Sequence, residues 1–249
     1  KKVLSGTCYG VIKNKNYYIA VDDKLGLIKM NKNYKIIDSS DFEIGTRAHG
    51  IAYSEAHEEY YVVASLLDQI LIFDKKFKLI DRISLSDKYK HTLEPHHHCN
   101  DICIVNNSIY VSMFSYSGNF KNDIFDGVVL EIDIKSRKIL RPVITDLWMP
   151  HNISFFEGSL TVLDSLRGSL RNNNAQEIGI FPGFTRGLDF DGSLYFIGQS
   201  RNRNFSKTFG TSKNISIDTS IIIFDPETKV SKSIFLPSTL SEIHSVLLI

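Results

Sequence analysis

Six short apolar segments each begin with a residue able to bind a ligand: Tyr9 in YGVIK, His49 in HGIAY, Asn100 in NDICI, His151 in HNISF, Arg186 in RGLDF and His244 in HSVLL. His98 stands two residues before Asn100. Three of the chain's eight histidines thus share one place in a recurring pattern, and a fourth lies beside it. Imidazoles converging on a point can ligate Zn, Fe, Cu or Ni or move protons near neutral pH. A guanidinium fork binds carboxylate, sulfate or phosphate through two parallel hydrogen bonds. His49, His98, His151 and His244 are therefore the candidate metal ligands or acid–base groups, with Zn, Fe or Ni the implied cofactor. Tyr9, Asn100, Arg186, Arg201 and Arg203 are the candidate ligand-binding residues. A structural reading competes with both, in which these polar side chains bond the backbone of the next unit and cap it.

The run Glu94-Pro-His-His-His-Cys-Asn-Asp101 is the densest local cluster. On a regular extended strand His96 and His98 would point one way and His97 and Cys99 the other, so at most a pair could serve one site. No CxxC accompanies the run, which removes a zinc-finger reading. His57 and His91 lie outside the recurring position, in polar stretches expected at the surface. Asp101 and Asp189 follow it by one and three residues and are expected to orient a histidine. The chain contains no Gly-rich phosphate loop, HExxH or GxSxG, and no nucleophilic triad can be assigned.

The elements that position these residues are legible as a repeat. Tyr17–Ser40 (YYIAVDDKLGLIKMNKNYKIIDSS) aligns without a gap to Tyr60–Ile83 (YYVVASLLDQILIFDKKFKLIDRI). Each holds three apolar–polar alternations broken by Asp, Lys and Asn, the signature of short antiparallel strands. The unit returns around Ser108–Val143, Ser159–Phe181 and Ser193–Phe235, each copy preceded by one of the first-strand segments above. Four strands per unit at spacings of about 40–50 residues match the blades of an all-β propeller. Five blades are counted, and an irregular sixth, assembled from Lys1–Thr7 and Ile243–Ile249, is the alternative. HSVLL is expected as a C-terminal strand that lies beside the N-terminal blade and closes the ring. A β-sandwich is a distant second. Residues 1–249 read as a single domain, with no flexible linker.

In a propeller the first strand of each blade lines the axis, so the six positions are expected to meet at one channel mouth. Two long insertions between second and third strands should rise on the same face. One is Ser115–Asp126. The other, Gln199–Asp218, carries Arg201, Arg203, Lys207 and Lys213 with Phe205 and Phe209. With Arg167, Arg171 and Arg186 they imply a local positive field suited to a small anionic ligand.

Composition narrows the partners. Twenty-nine basic against 28 acidic residues give a net charge of +1, no footprint for nucleic acid or an anionic membrane. No apolar run reaches the roughly 18 residues of a membrane helix, and the first residues open no signal peptide. Three cysteines, an odd number, argue against a disulfide framework, and Cys99 and Cys103 read as small core residues. A cytoplasmic setting is expected. A chain that starts at Lys1 leaves room for a leader or a neighbouring domain upstream.

The stretches PHHHCNDI (Pro95–Ile102), MPHNISF (Met149–Phe155) and GFTRGLDFDGSLYFIGQSRNR (Gly183–Arg203) resemble an uncharacterised bacterial β-propeller family, recorded as a domain of unknown function. More distantly, HGIAY and RGLDF followed by a blade resemble NHL-type and gluconolactonase/strictosidine-synthase-like propellers. The first resemblance implies the fold and no activity. The enzymes of the second group bind Ca²⁺ through acidic and Asn side chains on the axis. Here the matching positions are mainly His and Arg, with only Asn100 and Asn152 as oxygen donors, so a Ca²⁺ site does not carry over. The reading is a small-molecule site at the axial mouth, with metal-dependent chemistry on an anionic substrate as one possibility. A non-catalytic module binding a protein or glycan is the alternative.

Overall fold

The structure, a computed structural model, describes all residues except 1, 4–5, 44, 175, 204–205 and 207–213. Twenty strands form five separate four-stranded antiparallel sheets, each in chain order. The first blade is β1–β4 (Cys8–Lys13, Tyr17–Asp22, Gly26–Asn31, Ile36–Ser40). The second is β5–β8 (Ala48–Ser54, Glu59–Ala64, Gln69–Asp74, Leu79–Ser84). The third, β9–β12, covers Cys99–Val105, Ser108–Met113, Gly127–Asp133 and Lys138–Leu147. The fourth, β13–β16, covers Pro150–Phe156, Ser159–Asp164, Ser169–Asn172 and Glu177–Ile180. The fifth, β17–β20, covers Phe184–Phe190, Tyr195–Ser200, Ser220–Phe224 and Ser231–Phe235. The gap-free repeat is therefore the last three strands of blades one and two. Six residues, Asp87–Thr92, form a helix α1 that holds His91, where a plain polar loop was expected. No helix among the described residues is long and apolar enough to cross a membrane.

First strands β1, β5, β9, β13 and β17 pack side by side in succession around the axis. The alternation of each strand sends one set of side chains into the next blade. Tyr61, Val63, Ile70 and Ile72 of blade two interleave with Ile109, Val111, Leu130 and Ile132 of blade three. Similar apolar layers join blades one and two, three and four, and four and five. Cys99 is buried within one such layer and Cys103 packs against another, and all three cysteines are unpaired.

The seam between blades five and one is built differently. No apolar cluster among the described residues spans it; the buried side chains of Ala20, Ile28 and Met30 form a group of blade one alone. The C-terminal segment fills the gap, but not as the expected strand, for residues 236–249 make no ladder. They form a strap held by clamps. Ser200 Oγ accepts from Ile243 N (2.9 Å) and donates to Ile243 O (3.0 Å). Arg201 N donates to Ser241 O (2.9 Å), and Leu248 N donates to Asp189 Oδ2 (2.7 Å). His244 reaches across to the ring of Tyr9 on β1, 4.6 Å between centroids. Five blades thus present six segments to the axis.

Candidate functional site

Every first strand carries an irregular register where it meets the axis: at Cys8/Gly10, Ala48/Ile51, His151/Ile153 and Thr185/Leu188, and opposite Val111/Met113 for β9. A bulge re-aims a side chain out of the regular pleat. Four bulges fall on Tyr9, His49, Asn100 and Arg186; the bulge of β13 falls on Asn152, directly after His151, and the strap adds His244. Tyr9, His49, Asn100, His151, Arg186 and His244 line one chamber of about 250 Å³.

A second tier stands two residues earlier in five of the six segments: Arg47, His98, Met149, Phe184 and Glu242. Arg47, His98 and Met149 share a left-handed backbone (φ 42, 52 and 53°). His98 is thus equivalent to Arg47 and Met149 and not to His49. Its positive φ also breaks the strand alternation expected through His96–Cys99. His97 turns into the structure, where Nδ1 donates to Ser115 O (2.8 Å) and Nε2 lies 3.0 Å from Ser86 Oγ. His96 meets the Thr92 hydroxyl at 2.8 Å. The buried Asp68 of blade two fixes this turn by accepting from the backbone N–H groups of His96 (2.6 Å) and His97 (3.2 Å).

Around the chamber the rings touch in sequence. Tyr9 stacks on His49 at 4.3 Å, His49 meets His98 edge-on at 5.8 Å, and His98 lies against Phe114 at 4.3 Å. Phe114 meets His151 at 5.1 Å and His151 meets Phe184 at 5.4 Å. The Arg186 guanidinium lies over Phe184 at 4.8 Å, and Arg186 returns to His244 at 3.4 Å. Because aromatic rings separate most of the imidazoles, the four histidines do not form a ligand set. No group of three His, Cys, Asp or Glu side chains among the described residues could hold a metal ion. The expected Zn, Fe or Ni site has no supporting geometry.

The polar groups divide by charge. His49 Nδ1 lies 2.9 Å from Arg47 O, and His151 Nδ1 lies 2.9 Å from Met149 O and 2.8 Å from Ser165 Oγ. A carbonyl only accepts, so both rings carry their proton on Nδ1 and leave Nε2 as an acceptor. Burial drives the pKa of His49 down to about 3 and those of His98 and His151 well below the usual imidazole value. These rings are neutral. Beside them, Arg47, Arg186 and Arg203 share the chamber wall with one carboxylate among the described residues, Glu242. Burial lowers Arg186 to about 10, still charged at neutral pH. Its Nε is buried and has no hydrogen-bond partner among the described residues.

Several expected contributors lie elsewhere. Arg201 is exposed and is not part of the chamber wall. Arg167 pairs with Asp146 (2.9 Å) and Asp164 (3.1 Å), and Arg171 with Asp164 (3.5 Å), so neither adds to a field at the mouth. Lys207, Lys213, Phe205 and Phe209 lie outside the described residues. Asp101 and Asp189 orient no histidine. Asp101 Oδ1 accepts from Ile102 N (2.8 Å) and Asp189 Oδ1 from Phe190 N (2.9 Å). The first insertion does contribute, through Phe120, whose ring lies 4.6 Å from His98. Of this second tier only His98 was read in the sequence, although Arg47–His49, Met149–His151, Phe184–Arg186 and Glu242–His244 repeat its i, i+2 spacing.

Residues 23–249 match the family described as Domain of unknown function (DUF4915), and the chain belongs to it. Among curated proteins there is no match. Solved structures share the fold at low identity. A gluconolactonase-like protein is 13% identical with a TM-score of 0.65, over 97% of this chain and 82% of its own. Virginiamycin B lyase from Staphylococcus aureus is 12% identical with a TM-score of 0.61, over 93% and 71%. A chain of the nidogen/laminin complex is 13% identical with a TM-score of 0.63, over 96% and 86%.

Proposed function

Starting from a family defined without an activity, we propose that this propeller binds a small, hydroxyl-bearing anion in its axial chamber. One observation carries the reading: Arg47, Arg186 and Arg203 converge with neutral imidazoles on a chamber that holds a single carboxylate among the described residues. The arginines supply donors for an anionic group. His49 and His151, protonated on Nδ1, offer Nε2 acceptors for hydroxyls. The rings of Tyr9, Phe114 and Phe184 line the chamber and give apolar surface against which a small ring or carbon chain can pack. A volume of about 250 Å³ suits a metabolite and excludes a folded partner.

A thermal-shift screen with sugar phosphates, sugar acids and nucleotides tests this. Ligand at a hundred times its Kd adds about 2.7 kcal/mol to stability, a rise of roughly 5–10 °C for a chain of this size. The stabilisation should vanish in Arg186→Gln. No response from any anion, or an equal response in that variant, overturns the reading.

A further inference from the structure

Glu242 has an unusual post. It lies on the strap, outside any strand, and faces the chamber beside two arginines and a histidine. Its Oε1 pairs with Arg203 at 2.8 Å, and its Oε2 receives His244 Nε2 at 3.0 Å and Arg186 at 3.4 Å. Both carboxylate oxygens are thus engaged, as a bound ligand's would be. Its two arginine contacts are nevertheless weak. The Arg203 side chain is 65% exposed, and exposed pairs are worth at most about 1 kcal/mol. Arg186 is far more enclosed, at 12% exposure. It meets Glu242 through one long contact, and its Nε–H has no acceptor among the described residues, so the two-pronged geometry of a strong guanidinium–carboxylate pair is unfilled.

We infer that Glu242 is an internal stand-in for the ligand's anionic group, and that the natural ligand is a hydroxy-carboxylate which displaces it from Arg186. This rests on the proposed chamber function and adds to it the identity of the charged group. A carboxylate follows from the arrangement, which already grips one by both oxygens. A ligand carboxylate would take the Nε and Nη2 prongs together, which Glu242, held at Nη1, does not do from its tether. The hydroxyls would go to the Nε2 acceptors of His49 and His151. Displacing Glu242 would loosen the strap next to Ile243 and Leu248, whose N–H groups hold it to Ser200 and Asp189.

The test is calorimetric titration of wild type and Glu242→Gln with hydroxy-carboxylates from glycolate to gluconate, with sorbitol as the uncharged control. Removing the competing charge should tighten carboxylate binding about tenfold, with sorbitol unbound. Weaker binding in Glu242→Gln would make Glu242 a positioning group and overturn the displacement. A second readout needs no variant: saturating carboxylate should speed hydrogen exchange at the Ile243 and Leu248 amides of wild type. Slower exchange there contradicts the inference. Binding of sugar phosphates alone, dependent on Arg186, overturns the carboxylate identity and leaves the chamber reading standing. No binding of any anion by either protein overturns both.

Discussion

Burial of His49, His98 and His151 among rings and backbone has a consequence beyond ligand binding. In the unfolded chain each imidazole titrates near 6.5, whereas in the fold His49 stays neutral down to about pH 3 and the other two resist protonation well below 6.5. Folded pKa values below the unfolded ones mean that the native state binds fewer protons. Stability is therefore full above about pH 6.5 and lost as the pH falls through that value toward the folded pKa. Each such histidine costs about 1.4 kcal/mol per pH unit within its window. Asp101, raised by burial from 3.8 to about 6, acts in the opposite sense over that interval. Glu242, held down to about 2 chiefly by its hydrogen bond with His244, weighs in only below its unfolded value of 4.5. Between pH 6 and 4.5 the three histidines outweigh Asp101, so stability should fall with pH, measurable by urea unfolding in a pH series. A flat profile from pH 7 to 5 would mean that these rings are solvated. The axial histidines could be named from their recurrence at strand starts. Their tautomers and lowered basicity could not, because those depend on carbonyls presented by left-handed residues at Arg47 and Met149.

At the scale of elements, the bulged first strands aim the site and the strap completes it. Gly187, at φ 78° on the bulge of β17, passes beneath the strap, and a Cβ there would meet Ser245 C and Val246 N at 2.8 Å. Gly187→Ala should cost roughly 1–2 kcal/mol for the left-handed backbone alone and should push the strap from its seat. Ser200→Ala removes both bonds to Ile243 and should cost about 1–2 kcal/mol. In both variants the Leu248 amide should exchange faster while Val62 and Leu71, deep in blade two, keep their protection in native-state hydrogen exchange. Unchanged protection at Leu248 would show that the strap is held by something other than these clamps. The strands of blades one and two were legible because two copies keep their apolar–polar alternation without a gap. The strap was read as a strand because HSVLL repeats the first-strand pattern; a strand also needs a ladder partner, and here side chains of Ser200 and Asp189 take that place. Blade four hid β15, Ser169–Asn172, because four residues carry too little alternation to stand out.

The molecule as a whole is a ring whose four continuous seams are apolar and whose fifth is bridged by a strap that also carries two residues of the site. Ring closure and chamber assembly are therefore one event. The propeller fold and the convergence of distant positions on the axis follow from the repeat alone, since any residue at the start of a first strand must face the channel, whereas the choice of five blades over an irregular sixth needed the structure. The balance of charge did not follow from it, because Asp146 and Asp164 neutralise Arg167 and Arg171 through contacts between separate strands and loops. What remains at the axis is a small basic chamber rimmed by neutral acceptors, and its occupancy by an anion is the central claim. Proton–nitrogen NMR of histidine-labelled protein observes it directly. In the free protein, His49 and His151 should appear as neutral rings protonated on Nδ1. Titration with a hydroxy-carboxylate or sugar phosphate that stabilises the protein should shift the Nε2 resonances of both, and not that of the distant His57. If such a ligand saturates the protein while the His49 and His151 resonances stay in place, the chamber is not the binding site.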